Sequence, residues 1–203
     1  MSVTAAAPAP LSADVLEALR AATGSRHAVL DRSMPLSTDT PSIADYRHHL
    51  VLLRAWLAPL EAWLAGFNDG PQDASVLSRV DRTPLIDADL RDDAMPDAPL
   101  IADVIEWPHD ERSGAYRWGV AYVIEGSQLG GTVLYRRLHE RLVPHPLRYL
   151  SQDGVPPGPR WQHFLRALRD QVTSDREIAD ACAGAADAFD ALLALVDRIP
   201  SQV

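Results

Sequence analysis

One histidine near the N-terminus stands on an apolar helical face next to groups that could make it a metal ligand. The residues that share this face with His27 are Leu16, Leu19, Thr23 and Leu30. A lone histidine in such a place is more often a hydrogen-bonded core residue than a ligand. Asp31 stands at i+4, where its carboxylate can hold the Nδ1–H of His27, leave Nε2 free and make the imidazole a better donor to a metal. The alternative is a surface Asp–His contact of little energetic value.

The segment GVAYVIEGSQLGGTVLYRRL keeps helical spacing of its apolar residues but carries three glycines at its centre, Gly126, Gly130 and Gly131. Each glycine costs a helix about 0.8–1 kcal/mol relative to alanine, so another interaction must offset a few kcal/mol. Two explanations are open. A neighbouring helix packs closely against the bare backbone, or a flat ligand lies against it and the helix bends there.

The face of these glycines continues to Tyr122 at one end and to Val133, Leu134 and Arg137 at the other. Gly126 and Arg137 are nearly three helical turns apart. The result is an apolar strip with a phenol at one end and a guanidinium at the other. Such a strip suits a large planar apolar ligand with an anionic edge. Arg20, two turns before His27 on its helix, is a second candidate partner for a ligand carboxylate.

Other residues carry weaker signals. Glu106 and His109 imitate the Glu-x-x-His of di-iron bundles, but Pro108 interrupts a helix there and no second copy exists. Ser127 lacks the first glycine and the strand context of a hydrolase nucleophile. The other histidines suggest little, because one adjacent pair cannot share a face and three more are expected in exposed stretches: His48 and His49, then His139, His145 and His163.

These residues require helices to position them, and we predict an all-α fold. No alternating apolar runs are joined by a hairpin turn, so a sheet is not expected. Residues 1–10 are predicted to be a flexible N-terminus and residues 11–203 a single all-α domain of six to eight helices. Ser12 is predicted to cap a helix that runs to about Arg32, and a second helix should run from Ser42 to about Phe67, where Pro59 should kink or divide it. Thr83 is predicted to cap a short helix that starts at Pro84, and one more turn is expected around 101–105. A long helix should run from Ser113 to before Pro144 and be followed by a loop over 145–159, and the last two helices should run from Arg160 to Val172 and from Asp175 to Arg198, with a capping box over 174–177 at the start of the last one.

Composition limits the functional class. The chain has 203 residues, 47% hydrophobic and 23% charged, with a formal net charge of −9. A net acidic protein is a poor candidate for nucleic-acid binding, and no apolar run is long enough for a membrane helix. The N-terminus has no basic region of a secretory signal, and the single cysteine, Cys182, cannot form an internal disulfide. We therefore expect a cytoplasmic protein.

Two sequence blocks resemble the heme oxygenase family. LRAATGSRHAVLD, residues 19–31, resembles the family's first helix with its proximal histidine and following acid. YVIEGSQLGGTVL, residues 122–134, resembles its distal helix in the form typical of bacterial, biliverdin-producing members, including those paired with bacteriophytochromes. The blocks cover about an eighth of the chain, and the predicted architecture agrees over nearly all of it.

The resemblance implies a single-domain heme oxygenase-like fold and an enzyme that cleaves heme b at a meso carbon to biliverdin, CO and Fe²⁺. It would use O₂ and an external electron donor such as a ferredoxin or a flavoprotein reductase, and a bilin-binding phytochrome is a candidate partner. His27 would be the axial iron ligand and Asp31 its hydrogen-bonding partner, and Gly126, Ser127 and Gly130 would crowd the iron. The remaining residues expected to contact heme are Tyr122, Gly131 and the arginines that would hold the propionates, Arg20, Arg136, Arg137 and Arg166.

One position departs from the family pattern. In the mammalian form an aspartate follows the first glycine and organises water around bound dioxygen, whereas this chain has Ser127. A heme carrier that does not degrade its ligand is therefore a second hypothesis. A third is a thiaminase-like hydrolase, which would need Cys182 as a nucleophile in the pocket. Four arginines, either a dock for an acidic electron donor or a solvated face, complete the predictions: Arg136, Arg137, Arg141 and Arg148.

Overall fold

The computed structural model describes residues 14–97, 105–107 and 111–198. Within those ranges the chain forms seven α-helices and no β-strand, which confirms the predicted all-α class. The helices are α1 (Val15–Ser33), α2 (Ile43–Leu64), α3 (Thr83–Leu90), α4 (Gly114–Leu138), α5 (Arg148–Ser151), α6 (Pro157–Gln171) and α7 (Asp175–Arg198). No helix in the described ranges is long and apolar enough to span a bilayer.

Most predicted helix starts lie within a few residues of the observed ones because polar caps mark them. Helix α2 starts with a capping box between Ser42 and Asp45, and α4 is capped by the Ser113 hydroxyl, which accepts from the Tyr116 amide. Ser174 and Glu177 form the predicted capping box before α7. Helix α7 has the predicted bounds.

Several predicted boundaries are wrong. Helix α1 begins at Val15 with Asp14 as its cap, and the predicted cap Ser12 lies outside the described residues, as do residues 1–10 and most of the turn predicted at 101–105. Pro59 does not divide α2, which continues to Leu64. Helix α4 ends at Leu138, and the loop predicted over 145–159 contains α5 and the start of α6.

Thr83 does not cap α3 with its own side chain but is its first residue. The carboxylate of Glu61, on α2, accepts from the amides of Arg82 and Thr83 and from the Thr83 hydroxyl at 2.6 Å. A side chain distant in sequence therefore satisfies the free N–H groups at this helix end, and local sequence could not predict that.

Helices α4 and α7 approach each other closely, and two glycines make this possible. A methyl group at Gly119 would collide with the carbonyl oxygen of Ala181, and one at Gly184 would collide with that of Tyr116. Polar contacts hold the same pair, since the Tyr116 hydroxyl donates to Asp187 at 2.7 Å.

Helix α7 also anchors α1 and α2. The guanidinium of Arg26 makes two bonds to the Asp190 carboxylate, at 2.7 and 2.8 Å, and the indole N–H of Trp56 donates to the Ala188 carbonyl at 2.9 Å. The first half of α4 is thus packed on α7, and α1 and α2 also contact α7. The second half of α4 continues beyond the contact with α7 and lines a cavity.

A buried ion cluster fixes α4 at the boundary between its halves. The Glu125 carboxylate, only 7% exposed, accepts from Arg82 at 2.7 Å and from Arg160 at 2.8 and 2.9 Å. Burial alone would raise the pKa of Glu125, but the hydrogen bonds and positive charges of Arg160 and Arg82 outweigh it and hold the pKa below its usual value. Loops preceding α3 and the start of α6 are thereby tied to the middle of α4.

Candidate functional site

A cavity of about 620 Å³ lies between α1, α2, α4, α5, α6 and α7. This volume is within the range of small-molecule sites, about 300–1,000 Å³. Its lining is mostly apolar, with a few polar groups. The cavity brings together residues from both sequence blocks, nearly 100 positions apart.

His27 and Asp31 line the cavity from α1. The Nδ1 atom of His27 lies 2.9 Å from Oδ2 of Asp31, a distance at which Nδ1–H can donate to the carboxylate. Nε2 then keeps its lone pair. The His27 side chain is 63% exposed, unlike Leu19 and Thr23 before it, which are buried. The histidine is therefore not a core residue, and its ring is held in one orientation with a nitrogen available to a ligand.

The three central glycines of α4 line the same cavity, and no helix packs tightly on them. A methyl group at Gly130 would meet no atom within 4 Å. At Gly126 and Gly131 it would meet only Trp161 at 3.6 Å and Leu150 at 3.8 Å, which are ordinary contacts. The helix-packing explanation is wrong for these glycines, because the space beside them is open.

Aromatic residues that were not singled out from the sequence form much of the wall. Trp56 of α2, Trp161 of α6 and Phe189 of α7 all line the cavity, and the Phe189 ring lies 6.1 Å from the His27 ring. Tyr122 lines it from α4, 5.5 Å from Trp161 between ring centres, and burial raises the pKa of its hydroxyl. Such walls suit a flat apolar ligand.

The predicted arginines divide into two groups. Arg137 lines the cavity and donates to the backbone carbonyl of Leu36, which joins the end of α4 to the segment after α1. Arg20, Arg136 and Arg166 are exposed and are not in the lining. Of the proposed docking cluster, Arg148 pairs with Asp92 at 2.9 Å and with the buried carboxylate of Asp89, so it is committed to the fold.

Ser127 belongs to a small polar group in the cavity wall. Its hydroxyl donates to the Ile124 carbonyl at 2.7 Å and accepts from the Gln128 amide at 3.0 Å, and the same amide donates to the Tyr149 hydroxyl at 3.3 Å. Burial raises the pKa of Tyr149. Ser127 is thus tied to α5 through Gln128, a connection that sequence reasoning missed.

Two histidines differ from the sequence expectation. His145, expected to be exposed, is buried and accepts from the Leu147 amide at 3.0 Å. His49 is 5% exposed and lines the cavity from α2. Its apolar helical neighbours Leu53 and Trp56 give the same signal that singled out His27.

Comparisons with known proteins agree with this geometry. The family model described as heme oxygenase matches residues 13–198. The chain belongs to the heme oxygenase family. A heme oxygenase from Xanthomonas campestris pv. campestris is 40% identical over 158 residues, which are 76% of this chain and 87% of that protein. A solved heme oxygenase from Neisseria meningitidis, described with NO and CO bound, has a TM-score of 0.66 at 18% identity over 91% of this chain and 90% of its own, and it shows the shared fold.

Membership of the heme oxygenase family confirms three predictions: the all-α heme oxygenase-like fold, heme as the ligand and heme degradation as the activity. The cavity residues fit heme, because one imidazole nitrogen is free, the glycine backbone is bare and the walls are aromatic. Cys182 is half-buried on α7 with its pKa raised by burial, and it is not in the cavity lining. The thiaminase-like hypothesis therefore lacks its required cysteine in this pocket.

Proposed function

We propose that this heme oxygenase holds heme b in the 620 Å³ cavity with His27 as the axial iron ligand and cleaves it at a meso carbon to biliverdin, CO and Fe²⁺. The observation that carries the proposal is that His27, with Nδ1 beside Asp31, lines the same cavity as Gly126 and Gly130. Heme supplies the iron that activates O₂ and the ring that is cleaved.

Each residue then has a physical role. Asp31 holds the His27 tautomer in which Nε2 is free and increases the basicity of that nitrogen. The bare backbone at Gly126, Gly130 and Gly131 admits a flat macrocycle, and Tyr122 and Trp161 bound one side of it. These contacts position the substrate, which is the main contribution a protein makes when the cofactor supplies the chemistry.

Arg137 is the propionate partner best supported by position, since it lines the cavity from the end of α4. Arg20, on the cavity-lining helix α1, acts electrostatically on the Tyr122 hydroxyl and is the next candidate. Arg136 and Arg166 stay predictions, since neither is in the lining. Ser127, where mammalian members have an acid, acts by holding Gln128 rather than as a proton donor, since its own proton is given to Ile124.

Two kinds of partner belong to this proposal, an electron donor and a bilin acceptor. An acidic electron donor such as a ferredoxin, or a flavoprotein reductase, would meet the exposed Arg136 and Arg141, with Arg148 excluded by its ion pairs. A bilin-binding phytochrome as acceptor, and membership of the bacteriophytochrome-associated branch, rest on the distal sequence pattern alone. The cytoplasmic location predicted from the sequence stays a prediction.

Substitution of His27 tests the central role. His27→Ala should remove the histidine-ligated heme spectrum, and added imidazole should restore it by filling the vacated space. Folding should change little, because the side chain is 63% exposed and the Asp31 carboxylate that it contacts is also exposed. His139→Ala, an exposed histidine at the end of α4, is the control and should keep the wild-type spectrum.

Turnover separates the enzyme from a heme carrier. The heme-loaded protein, given O₂ and a reductant, should lose its Soret band and gain bilin absorption. A Soret band that persists under these conditions would favour the carrier. An unchanged spectrum in His27→Ala would contradict the proposed ligand.

A further inference from the structure

His49 is a polar residue inside an otherwise apolar stretch of the cavity wall. It lies on α2 between Tyr46 and Leu53, and only 5% of it is exposed. Its Nδ1 atom is sealed from solvent and has no hydrogen-bond partner among the described residues. The other ring nitrogen, Nε2, is not sealed in this way, so it is the atom through which this ring can reach a molecule in the cavity.

The charge state of this ring is fixed by its surroundings. Burial lowers the pKa of His49 to about 3, so the imidazole is neutral near pH 7. One nitrogen then carries the proton and the other is an acceptor. Because a buried N–H without an acceptor is rarer in proteins than an under-used acceptor, the bare Nδ1 is the acceptor and Nε2 carries the proton.

The position of His49 along α2 places it on the side of the cavity formed by α5. One turn before it, the Tyr46 hydroxyl donates to Asp89 at 2.6 Å, and the same carboxylate accepts from the Tyr149 amide at 2.9 Å, which ties this end of α2 to α5. The other end of the lining stretch, Trp56, is tied to α7, whose Phe189 ring centre lies 6.1 Å from that of His27. His49 therefore lies at the end of the stretch away from the proposed axial ligand.

We propose that the neutral His49 donates a hydrogen bond from Nε2 to water or another small oxygen or nitrogen ligand held in the cavity. It is a positioning residue that supplies a fixed donor where Ser127 cannot, because the Ser127 proton is committed to Ile124. The inference rests on the proposed function, since the small ligand would sit beside bound heme. Other titratable groups line the cavity and must be separated from it in any test: His27 and Asp31 on α1, Tyr122 and Arg137 on α4, and Tyr149 on α5.

The neighbouring histidine provides a matched control. His48 also has a buried ring nitrogen without a partner, and burial lowers its pKa too, but it is not in the cavity lining. His49→Leu and His48→Leu remove the same group from adjacent positions of one helix. His49→Gln keeps an N–H donor at the cavity position.

The test measures two properties of the ferric heme-loaded protein: its affinity for azide, and the pH at which the pH-dependent change in its visible spectrum is half complete (the spectral midpoint). The thermal unfolding midpoint of the heme-free protein is measured beside them. We expect His49→Leu to weaken azide binding roughly three- to tenfold, the range of one neutral hydrogen bond, and to shift the spectral midpoint. His49→Gln should recover part of both, and His48→Leu should change neither. The unfolding midpoint of heme-free His49→Leu should be unchanged or higher, because an unpaired polar atom has been removed.

Unchanged azide affinity and an unchanged spectral midpoint in His49→Leu would overturn the inference and leave the heme oxygenase function intact. Equal effects from His48→Leu would also overturn it, because they would reflect a general change in α2. A wild-type protein that gives no histidine-ligated heme spectrum would instead overturn the proposed function, and this inference with it.

Discussion

Helix α4 carries glycines in two regions. Another helix packs against the glycine of the first region, whereas a cavity lies beside the glycines of the second. At Gly119 the backbone of α7 occupies the place of a side chain, with Gly184 making the reciprocal contact. At Gly130 that place is empty, and it opens into the cavity. The same residue type thus allows close packing in one half of a helix and ligand access in the other. Sequence spacing alone does not distinguish these two uses.

Adding a side chain in the packed region should have the largest effect on the stability of the protein. Gly119→Ala and Gly184→Ala should each lower the free energy of unfolding by about 3 kcal/mol or more, since the added methyl would collide with backbone atoms that cannot move aside. Chemical denaturation followed by circular dichroism measures this. Gly24→Ala is the control, because a methyl group at that position of α1 would meet no neighbouring element within 4 Å, and it should not destabilise the protein. A loss below about 0.5 kcal/mol at both glycines would show that the helices can separate at little cost.

Glu125, which lies between the two regions, should make the stability of the protein depend on pH. Glu125→Gln should destabilise the protein at pH 7 by about 3 kcal/mol, because it leaves the buried Arg82 without a carboxylate. The pKa of Glu125 in the folded protein is below the ordinary value of 4.5, so its stabilising contribution is complete above that pH and is lost as pH falls below it.

Denaturation between pH 7 and pH 3 should therefore show a smaller acid-induced loss in Glu125→Gln than in the wild type. Arg160→Gln removes the other cation and should lower the free energy of unfolding less than Glu125→Gln does. The Arg160 side chain is 21% exposed, whereas that of Arg82, which keeps its carboxylate partner in this variant, is 6% exposed. Parallel curves for wild type and Glu125→Gln would contradict the assignment of this acid dependence to Glu125.

Filling the open region should separate ligand binding from folding. Gly130→Leu should weaken heme binding at least about tenfold, because the side chain would enter the cavity, while the heme-free protein keeps its stability. Heme titration and denaturation of the same preparations measure the two effects. Gly24→Leu, the same change outside the cavity lining, should leave heme affinity unaltered. Equal losses of affinity and of stability in Gly130→Leu would mean that this region is packed after all.

The smallest change in stability is expected from an alanine in the open region, and it should be a gain, whereas an alanine in the packed region causes a loss. Gly130→Ala should stabilise the heme-free protein by up to about 1 kcal/mol, since alanine is the better helix former and its methyl meets nothing within 4 Å. The measurement is again the denaturation midpoint, compared with Gly119→Ala in the same helix. A loss of stability would show that the glycine is needed for the backbone of α4 and not for the space beside it.

The sequence predicted the elements better than their connections. The capping box of Ser174 and Glu177 and the bounds of α7 are local properties, and both predictions are confirmed. The start of α3 was misjudged because Glu61, more than 20 positions away, provides its cap. The predicted loop after residue 145 contains α5, whose first amides donate to Asp89. In both places a contact distant in sequence satisfies the backbone.

The site shows the same division. His27, Asp31, Gly126 and Gly130 were found from spacing on single helices, and the structure brings them to one cavity. His49, Trp161 and Phe189 were missed because their roles depend on which helix faces which. The apolar stripe around His49 was visible in the sequence, but an adjacent histidine pair has no distinctive helical spacing.

The sequence by itself determined the helical class, the helix ends with their own caps and the pairing of His27 with Asp31, because each depends on residues within about one turn of each other. The tertiary structure alone decided which glycines meet a helix and which meet open space, and which buried histidine lines the cavity. Those outcomes depend on the distance between helices far apart in the chain. Helical periodicity fixes the face a residue occupies, but not what lies opposite that face.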